Sequence, residues 1–228
     1  MKQLKIILMV NSIINKFGKW LGVESNFASW FVIIGIIIQL VTCYIMHEPL
    51  IAVCSGISGV ISVVLCSQKK YSFYFWGLLQ TITIIIISFQ SELYGKVLEN
   101  SFYLITMLIG MFIWKKNLNG NETQVRTMDG IDYTIFITII IPIVGFVSYM
   151  IVNKYNPEHI YLDTITTVIG MVAQIMLILR FREQWILWLI LDVLCIILWA
   201  SVGNWCLVMQ YVFWTINCVY GYKTWKNN

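Results

Sequence analysis

The chain has 228 residues, of which 59% are hydrophobic and only 11% are charged, and its mean hydropathy is +0.79. This composition excludes an ordinary soluble domain, because a single core of this size cannot bury so much apolar surface. The net charge of +4 comes from basic residues scattered in ones and twos, so nucleic-acid binding is not needed to explain it.

Residues 1–27 are predicted to form a basic amphipathic segment. Ile6, Val10 and Ile13 recur at helical spacing, whereas Lys5 and Lys16 fall on other faces. This pattern is typical of a helix that lies in the membrane interface, and it fits a partly ordered basic tail equally well. No small-residue cleavage site follows the apolar stretch, so a secretory signal is not expected.

The rest of the chain contains apolar runs that are long enough to cross a bilayer. Because these runs are continuously apolar rather than alternating, they predict α-helices rather than barrel strands. We therefore expect an all-α polytopic membrane protein with eight spans. The predicted spans are 28–46, 50–66, 73–90, 96–114, 131–152, 162–179, 184–201 and 204–223.

The basic residues predict the orientation of these spans. Cytoplasmic N- and C-termini place thirteen of the fifteen lysines and arginines inside, and only Lys96 and Lys154 outside. Such a bias is typical of multi-pass membrane proteins, in which short cytoplasmic loops are enriched in Lys and Arg. The polar segment 115–130 is cytoplasmic in this topology.

Two similar units flank segment 115–130. Each is expected to hold three helices, in residues 50–114 and 162–225, with a linker helix at 131–152 between them and an additional helix at 28–46 before them. An even number of spans separates their starts, which predicts parallel repeats of the kind found in transporters. The matching positions are Gly59 and Gly170, Lys69 and Arg180, Phe102 and Phe213, Tyr103 and Trp214, Gly110 and Gly221, Trp114 and Trp225, and, after a one-residue slip, Phe73, Trp76 and Gln80 with Trp185, Trp188 and Asp192.

The strongest functional signal is Asp192, a carboxylate in the middle of an apolar run. Trp185, Trp188 and Asp192 are three and four residues apart, which places them on one face of a helix. A charge at bilayer depth is costly and marks a substrate or ion pathway. Aromatic faces beside an anion suit a flat organic cation.

The neighbouring run and the first unit contribute further polar and aromatic side chains. Gln210, Trp214 and Asn217 again share one helix face, and Gln80 and Asn100 stand at equivalent depths in the first unit. Two alternatives stay open, namely that the tryptophans only pack or form interfacial belts, and that Asp192 is a structural hydrogen-bond partner. The predicted substrate-binding residues are Trp185, Trp188, Asp192, Gln210, Trp214, Asn217, Gln80 and Asn100.

The sequence predicts no metal site, no cofactor and no catalytic residue. The six cysteines form no CxxC pair, and His47 and His159 are expected in short loops rather than at membrane depth. A GxxxxGK[ST] loop for ATP is absent from the sequence. An intramembrane enzyme would need paired carboxylates, a Ser–His or Cys–His pair, or a metal site, so an enzyme is not expected.

Two runs of the second unit resemble the PnuC family of nicotinamide riboside transporters. These runs are Glu183–Val193 (EQWILWLILDV) and Asn217–Trp225 (NCVYGYKTW). They look like the family patterns E-x-W-x-x-W-x-x-x-[DN]-V and N-x-x-Y-G-x-x-x-W. The resemblance covers roughly residues 50–226 and includes Trp114.

The resemblance implies a fold and a function. The fold is a 3+1+3 arrangement of helices, like full-length SWEET-like transporters, with an additional N-terminal helix as in Gram-positive members. The function is uptake of nicotinamide riboside by facilitated diffusion across the bacterial cell membrane, with the substrate held at the midplane between the repeats. A separate cytoplasmic kinase would trap the product for NAD biosynthesis.

Other interpretations remain at this point. Close relatives in the family carry thiamine or other vitamin cations, and a thiazolium also suits an anion between aromatic faces. A membrane scaffold or receptor that transports nothing is a third interpretation. The expected partners are therefore a small cationic substrate and the lipid bilayer, whereas homo-oligomer formation and a coupling ion are left open.

Overall fold

The computed structural model describes residues 2–90, 94–155, 160–202 and 205–226, and the described part is mostly helical. The N-terminal elements are α1 (Lys2–Leu21) and α2 (Asn26–Ile45), and the next three helices are α3 (Leu50–Ser67), α4 (Phe73–Gln90) and α5 (Tyr94–Lys116). A short hairpin of β1 (Leu118–Asn119) and β2 (Glu122–Thr123) precedes α6 (Gly130–Ile135), which continues through a π-helical segment (Phe136–Ile140) into α7 (Ile141–Tyr155). The last helices are α8 (Ile160–Ile178), α9 (Gln184–Val202) and α10 (Trp205–Lys226).

Several of these helices have the length and composition of membrane spans. Within the described residues, five are long and apolar enough, namely Asn26–Ile45, Leu50–Ser67, Phe73–Gln90, Lys96–Lys116 and Gly130–Ile151. Shorter apolar stretches lie in α8 and α9, at Thr164–Ile178 and Gln184–Ile197. A helix suits such isoleucine-rich sequences in lipid because it satisfies every backbone polar group within the segment. The total of eight spans stays a prediction.

Helices α3–α5 and α8–α10 pack around a common centre. Within the first group α3 packs on α4 and α4 on α5, and within the second α8 packs on α9 and α9 on α10. The groups meet where α5 contacts α8 and where α10 contacts α3. Small buried residues such as Ser58, Gly59 and Ser62 on α3 allow close approach of the helices, as is usual inside membranes. Helix α7 packs on α8, and α2 packs on α3.

The polar turn between α1 and α2 adds hydrogen bonds to the packing of α2 against this centre. Ser25 caps α2 by accepting a hydrogen bond from the backbone N–H of Ala28 (3.0 Å). The same hydroxyl lies 3.0 Å from the phenolic oxygen of Tyr220 on α10 and accepts from the side-chain amide of Gln68 (3.2 Å). The turn between α1 and α2 therefore contacts both α10 and the end of α3.

Helices α3 and α8 end in the same way. Lys69 and Arg180 both adopt left-handed backbone conformations, with φ of 60° and 68°. In each case the following N–H bonds back into the last turn, from Lys70 to Leu65 (3.0 Å) and from Phe181 to Met176 (2.9 Å). This is the Schellman arrangement, which satisfies carbonyls left free at a helix end. One constant offset along the chain, the offset from Lys69 to Arg180, relates every member of the two turns.

Two buried tryptophans join the ends of the helices across the two groups. The indole N–H of Trp114, at the end of α5, donates to the carbonyl oxygen of Leu177 on α8 (3.1 Å). The indole N–H of Trp225, at the end of α10, donates to the carbonyl oxygen of Cys66 on α3 (3.2 Å). The donors and the acceptors of these two bonds are related by the same offset as the helix-end turns, and the two rings lie 5.8 Å apart.

Segment 117–129 bonds to the turns that follow α3 and α8. The N–H of Thr123 donates to the carbonyl oxygen of Lys69 (3.0 Å), and that of Arg126 donates to the carbonyl oxygen of Arg180 (2.8 Å). These bonds hold both left-handed residues in place. The segment therefore joins the α3–α4 turn to the α8–α9 turn at one end of the bundle.

Glu122, in this segment, forms ion pairs with two lysines at that end. Its carboxylate lies 3.0 Å from the ammonium of Lys69 and 3.4 Å from that of Lys70, and both lysine side chains are almost completely buried. Partial burial acts to raise the pKa of the Glu122 carboxyl, but the hydrogen bonds and charges of the two lysines outweigh it. The pKa is therefore below its usual value.

Candidate functional site

A cavity of about 230 Å³ lies between the two groups of helices. Side chains from α3, α4 and α5 line one half, and side chains from α8, α9 and α10 line the other. Its volume is slightly below the roughly 300–1,000 Å³ that is usual for ligand pockets in proteins. Seven of the eight predicted binding residues line it, namely Gln80, Asn100, Trp185, Trp188, Asp192, Trp214 and Asn217.

Asp192 is the one charged side chain among the described residues that line the cavity. It is only 3% exposed, and its Oδ2 accepts a hydrogen bond from the thiol of Cys218 on α10 (3.3 Å). A thiol is a weak donor, so it compensates little of the cost of burying a carboxylate. The site is therefore suited to a ligand that brings a positive charge or several hydroxyl donors.

Three tryptophans form the aromatic part of the cavity wall. Trp185 is 4% exposed and packs edge-on against Trp225, with ring centroids 5.6 Å apart. Trp188 is half-buried one turn further along α9, and Trp214 on α10 packs edge-on against Tyr211. The buried indole nitrogens of Trp185 and Trp214 have no hydrogen-bond partner among the described residues. Both rings therefore retain a free donor.

Glycine at position 221 makes room for one of these rings. A Cβ atom at Gly221 would lie 2.6 Å from the ring atoms of Trp185, which is closer than real Cβ contacts come. The glycine therefore lets α10 approach the indole and fixes its position at the wall of the cavity. The match between Gly221 and Gly110 in the two units reflects a need for space on both sides, since a Cβ at Gly110 would lie 2.7 Å from Ile178.

The amide side chains of the cavity are only partly engaged with the protein. Asn217 donates to the carbonyl oxygen of Val63 (3.1 Å), but its own side-chain oxygen is buried and has no described partner. Asn100 donates to the carbonyl oxygen of Lys96 on its own helix (2.9 Å), and Gln80 is half-buried against Gly59. The cavity therefore offers hydrogen-bond acceptors and donors beside its aromatic wall.

Gln210 is half-buried and does not line the cavity. The contact between Cys218 and Asp192 shows which turn of α10 lies beside the carboxylate. Gln210 comes eight residues earlier on the same helix, which places it about 12 Å away along the helix axis. Helical spacing indicated the correct face of α10 but not how far along the helix the cavity reaches.

The most informative cavity residue that sequence reasoning missed is Gln184. Its side chain is completely buried and lines the cavity at the first residue of α9. The spacing from Gln184 to Trp188 to Asp192 is four and four residues, so the helical pattern that identified the tryptophans also applies to it. Its position at the edge of the apolar run obscured that signal.

Comparison with known proteins identifies the family and supports the fold. A family model described as "Nicotinamide mononucleotide transporter" matches residues 49–227. The chain is 32% identical over 179 residues to the nicotinamide riboside transporter PnuC of Haemophilus influenzae, which covers 77% of this chain and 78% of that protein. It is 28% identical over 221 residues to PnuC of Neisseria mucosa, with 92% and 82% covered.

A solved structure has a similar fold. The crystal structure of the vitamin B3 transporter PnuC superposes with a TM-score of 0.71 at 25% sequence identity. The similarity covers 90% of this chain and 92% of the solved one. The match thus extends over nearly the whole chain.

Proposed function

This chain belongs to the PnuC family of membrane transporters, and we propose that it takes up nicotinamide riboside across a bacterial plasma membrane. The observation that carries the proposal is Asp192, a buried carboxylate with no cationic side chain beside it among the described residues of a cavity walled by tryptophans. The relatives named above are nicotinamide riboside transporters, and their substrate is a planar cation.

The chemistry of the cavity matches that of nicotinamide riboside. Its pyridinium ring is flat and positively charged, so a face of Trp185, Trp188 or Trp214 would contribute a cation–π attraction of about 0.5–2 kcal/mol. Asp192 would supply charge attraction or accept from ribose hydroxyls. The free oxygen of Asn217 would accept another hydroxyl, which an apolar wall could not satisfy.

The proposal includes the 3+1+3 architecture. Two sets of observations support parallel three-helix repeats, in α3–α5 and α8–α10. The helix-end turns at Lys69 and Arg180 are related by the same offset along the chain as the bonds of Trp114 and Trp225. The cavity takes its lining from every helix of both repeats. Helices α6–α7 would link the repeats, and α2 would be the additional N-terminal span.

We place the joined end of the bundle in the cytoplasm. The charged segment 117–129 and the lysines at the ends of α5 and α10 lie there, in agreement with the excess of basic residues expected inside. Both termini would then be cytoplasmic, with substrate held near the midplane. Helix α1 would lie along the inner interface, because exposed apolar side chains such as Phe17 and Trp20 alternate with lysines.

Transport would proceed by alternating access, as the two repeats rock about the shared cavity. Opening of the cytoplasmic end would require the bonds from Trp114 and Trp225 to break, since each joins one repeat to the other. The movement would be facilitated diffusion, driven by the substrate gradient. Phosphorylation by a separate cytoplasmic kinase would add a charged group and trap the product.

Thiamine is the second candidate substrate. Its thiazolium is also flat and cationic, so the pairing of Asp192 with aromatic rings favours it for the same physical reason. A non-transporting scaffold or receptor differs from both, because it predicts no soluble ligand in the cavity.

The proposal is tested by tryptophan fluorescence of the purified chain, titrated separately with nicotinamide riboside and with thiamine. We expect saturable quenching by the riboside that is lost in Trp188→Ala and retained in Trp20→Ala, because Trp20 is 76% exposed on α1, far from the cavity in the chain. A response to thiamine alone would change the substrate and keep the site. Silence to both ligands, in protein that elutes as a single folded species, would favour the scaffold.

A further inference from the structure

The amide of Gln184 is buried without a partner. The side chain is 0% exposed, and neither its oxygen nor its nitrogen has a hydrogen bond among the described residues. Buried polar atoms are nearly always paired in native proteins, because leaving one unpaired forfeits its hydration. In Gln184 both the oxygen and the nitrogen of the side-chain amide lose their hydration, and the residue lines the cavity. The free atoms therefore point to a ligand.

Neighbouring side chains do not account for this amide. Glu183, the adjacent residue, directs its carboxylate to the N–H of Met128 (3.2 Å) and to the guanidinium of Arg182 (3.5 Å). The side-chain amide of Gln174, which also lines the cavity, bonds to the hydroxyl of Thr106 (3.4 Å). Within the described part of the chain, the protein thus provides partners for these polar groups around Gln184 but not for Gln184 itself.

The position of Gln184 divides the cavity into three parts along α9. Gln184 lies at one end, and Asp192 lies two turns away, about 12 Å along the helix axis. Trp188 lies midway between them on the same face, and Trp185 lies beside it. Along α9, the wall of the cavity therefore presents an amide, then aromatic rings, then a carboxylate. A matching ligand carries a hydrogen-bonding group at one end, a flat ring in the middle and a charge or hydroxyls at the other.

We infer that Gln184 is a specificity-determining residue that binds the carboxamide of the substrate. A glutamine side chain has one acceptor oxygen and a donor NH₂ group side by side, and a carboxamide has the same pair. Two amides can therefore exchange two N–H···O bonds at once. The inference rests on the proposed function for the identity of the ligand. It adds that Gln184 recognises the carboxamide on the pyridinium ring of that ligand.

This pairing predicts which ligands the site rejects. A pyridinium riboside without the carboxamide has the same charge and ring but leaves both atoms of Gln184 unpaired. Nicotinic acid riboside presents two acceptor oxygens, so one of them opposes the oxygen of Gln184. We expect both analogues to bind the wild-type protein at least about tenfold more weakly than nicotinamide riboside, because each forfeits a buried hydrogen bond.

The inference is tested by isothermal titration calorimetry of the full chain in detergent. The probes are nicotinamide riboside and the pyridinium riboside without the carboxamide, added to wild type, Gln184→Met and Gln210→Met. Gln184→Met keeps a similar side-chain volume. It should weaken binding of nicotinamide riboside by about tenfold or more and leave the affinity for the other ligand unchanged. Gln210→Met, on the half-buried position outside the cavity, should behave as wild type.

The outcomes separate this inference from the proposed function. Equal losses for both ligands in Gln184→Met would indicate a structural role and overturn the inference, as would an unchanged preference for the carboxamide. If that variant does not fold, the two ligands compared on the wild-type protein alone still decide, since equal affinities would refute carboxamide binding. Wild-type protein that binds neither riboside would overturn the proposed function and this inference with it.

Discussion

Replacement of Asp192 by asparagine removes the charge of the cavity and little else. Asparagine has the same shape, and its side-chain oxygen can still accept from the thiol of Cys218, which now lies 3.3 Å from the carboxylate. The substitution leaves no hole, so the helices should pack as before. Any change in ligand affinity then reports the interaction between the ligand and the negative charge.

The size of the effect follows from the burial of the carboxylate. Asp192 is 3% exposed, so solvent screens it weakly. A cation about 5 Å away would gain roughly 3 kcal/mol at an effective dielectric constant near 20. Part of this gain is offset by the cost of desolvating the ligand. We therefore expect Asp192→Asn to weaken binding of nicotinamide riboside by about 2 kcal/mol, or roughly thirty-fold.

The assay is calorimetric titration with two ligands of nearly equal shape. Nicotinamide riboside carries the positive charge, whereas its reduced dihydropyridine form is neutral. Asp192→Asn should weaken binding of the charged ligand by roughly the full thirty-fold, and binding of the neutral ligand by severalfold at most. Equal losses for both ligands would refute the electrostatic reasoning, and no loss for either would show that Asp192 plays only a structural role.

Three further substitutions test other parts of the structure. Gly221→Ala should displace the ring of Trp185, because a Cβ atom would lie 2.6 Å from it. The substitution should weaken riboside binding and lower the unfolding free energy by about 1–3 kcal/mol. Gly145→Ala, with open space around it, should do neither, and equal effects of the two substitutions would contradict the packing argument. Trp225→Phe should lower the unfolding free energy by about 1 kcal/mol in denaturation experiments, because the carbonyl of Cys66 at the end of α3 loses the indole donor and keeps the backbone N–H of Lys69. Unchanged stability would refute that role. Glu122→Gln should lower it at pH 7 by at most about 1 kcal/mol, since the carboxylate is partly exposed. Its pKa is lowered by folding, so the wild-type advantage should be present above pH 4.5 and disappear as the pH falls through the lowered pKa; an advantage that persisted in acid would contradict the ion pairs.

The sequence predicts a cavity residue well where the period of one helix, about 3.6 residues, alone decides which way its side chain faces. Trp185, Trp188 and Asp192 follow three- and four-residue spacing inside one helix, and all three line the cavity. Gln210 also follows such spacing but lies outside it, because the extent of the cavity along α10 depends on how α9 and α10 are positioned against each other. Spacing within one helix carries no information about that offset.

The sequence gives even less information about contacts between segments that are far apart in the chain. The internal repeat is visible in the sequence, and it matches Trp114 with Trp225. That each indole would donate to a carbonyl of the opposite group depends on the crossing of helices that are far apart in the chain. The bonds from segment 117–129 to two helix-end turns are backbone bonds, so side-chain identity gave little sign of them.

The central claim is that this chain carries nicotinamide riboside across a membrane, and the most direct measurement is uptake of labelled riboside by proteoliposomes that contain only the purified protein. Without ATP or an imposed ion gradient, we expect saturable uptake that stops when the internal and external concentrations are equal, accelerates when the vesicles are preloaded with unlabelled riboside, and falls strongly in Asp192→Asn. Uptake no faster than in protein-free liposomes, from protein that binds the riboside in detergent, would contradict the claim.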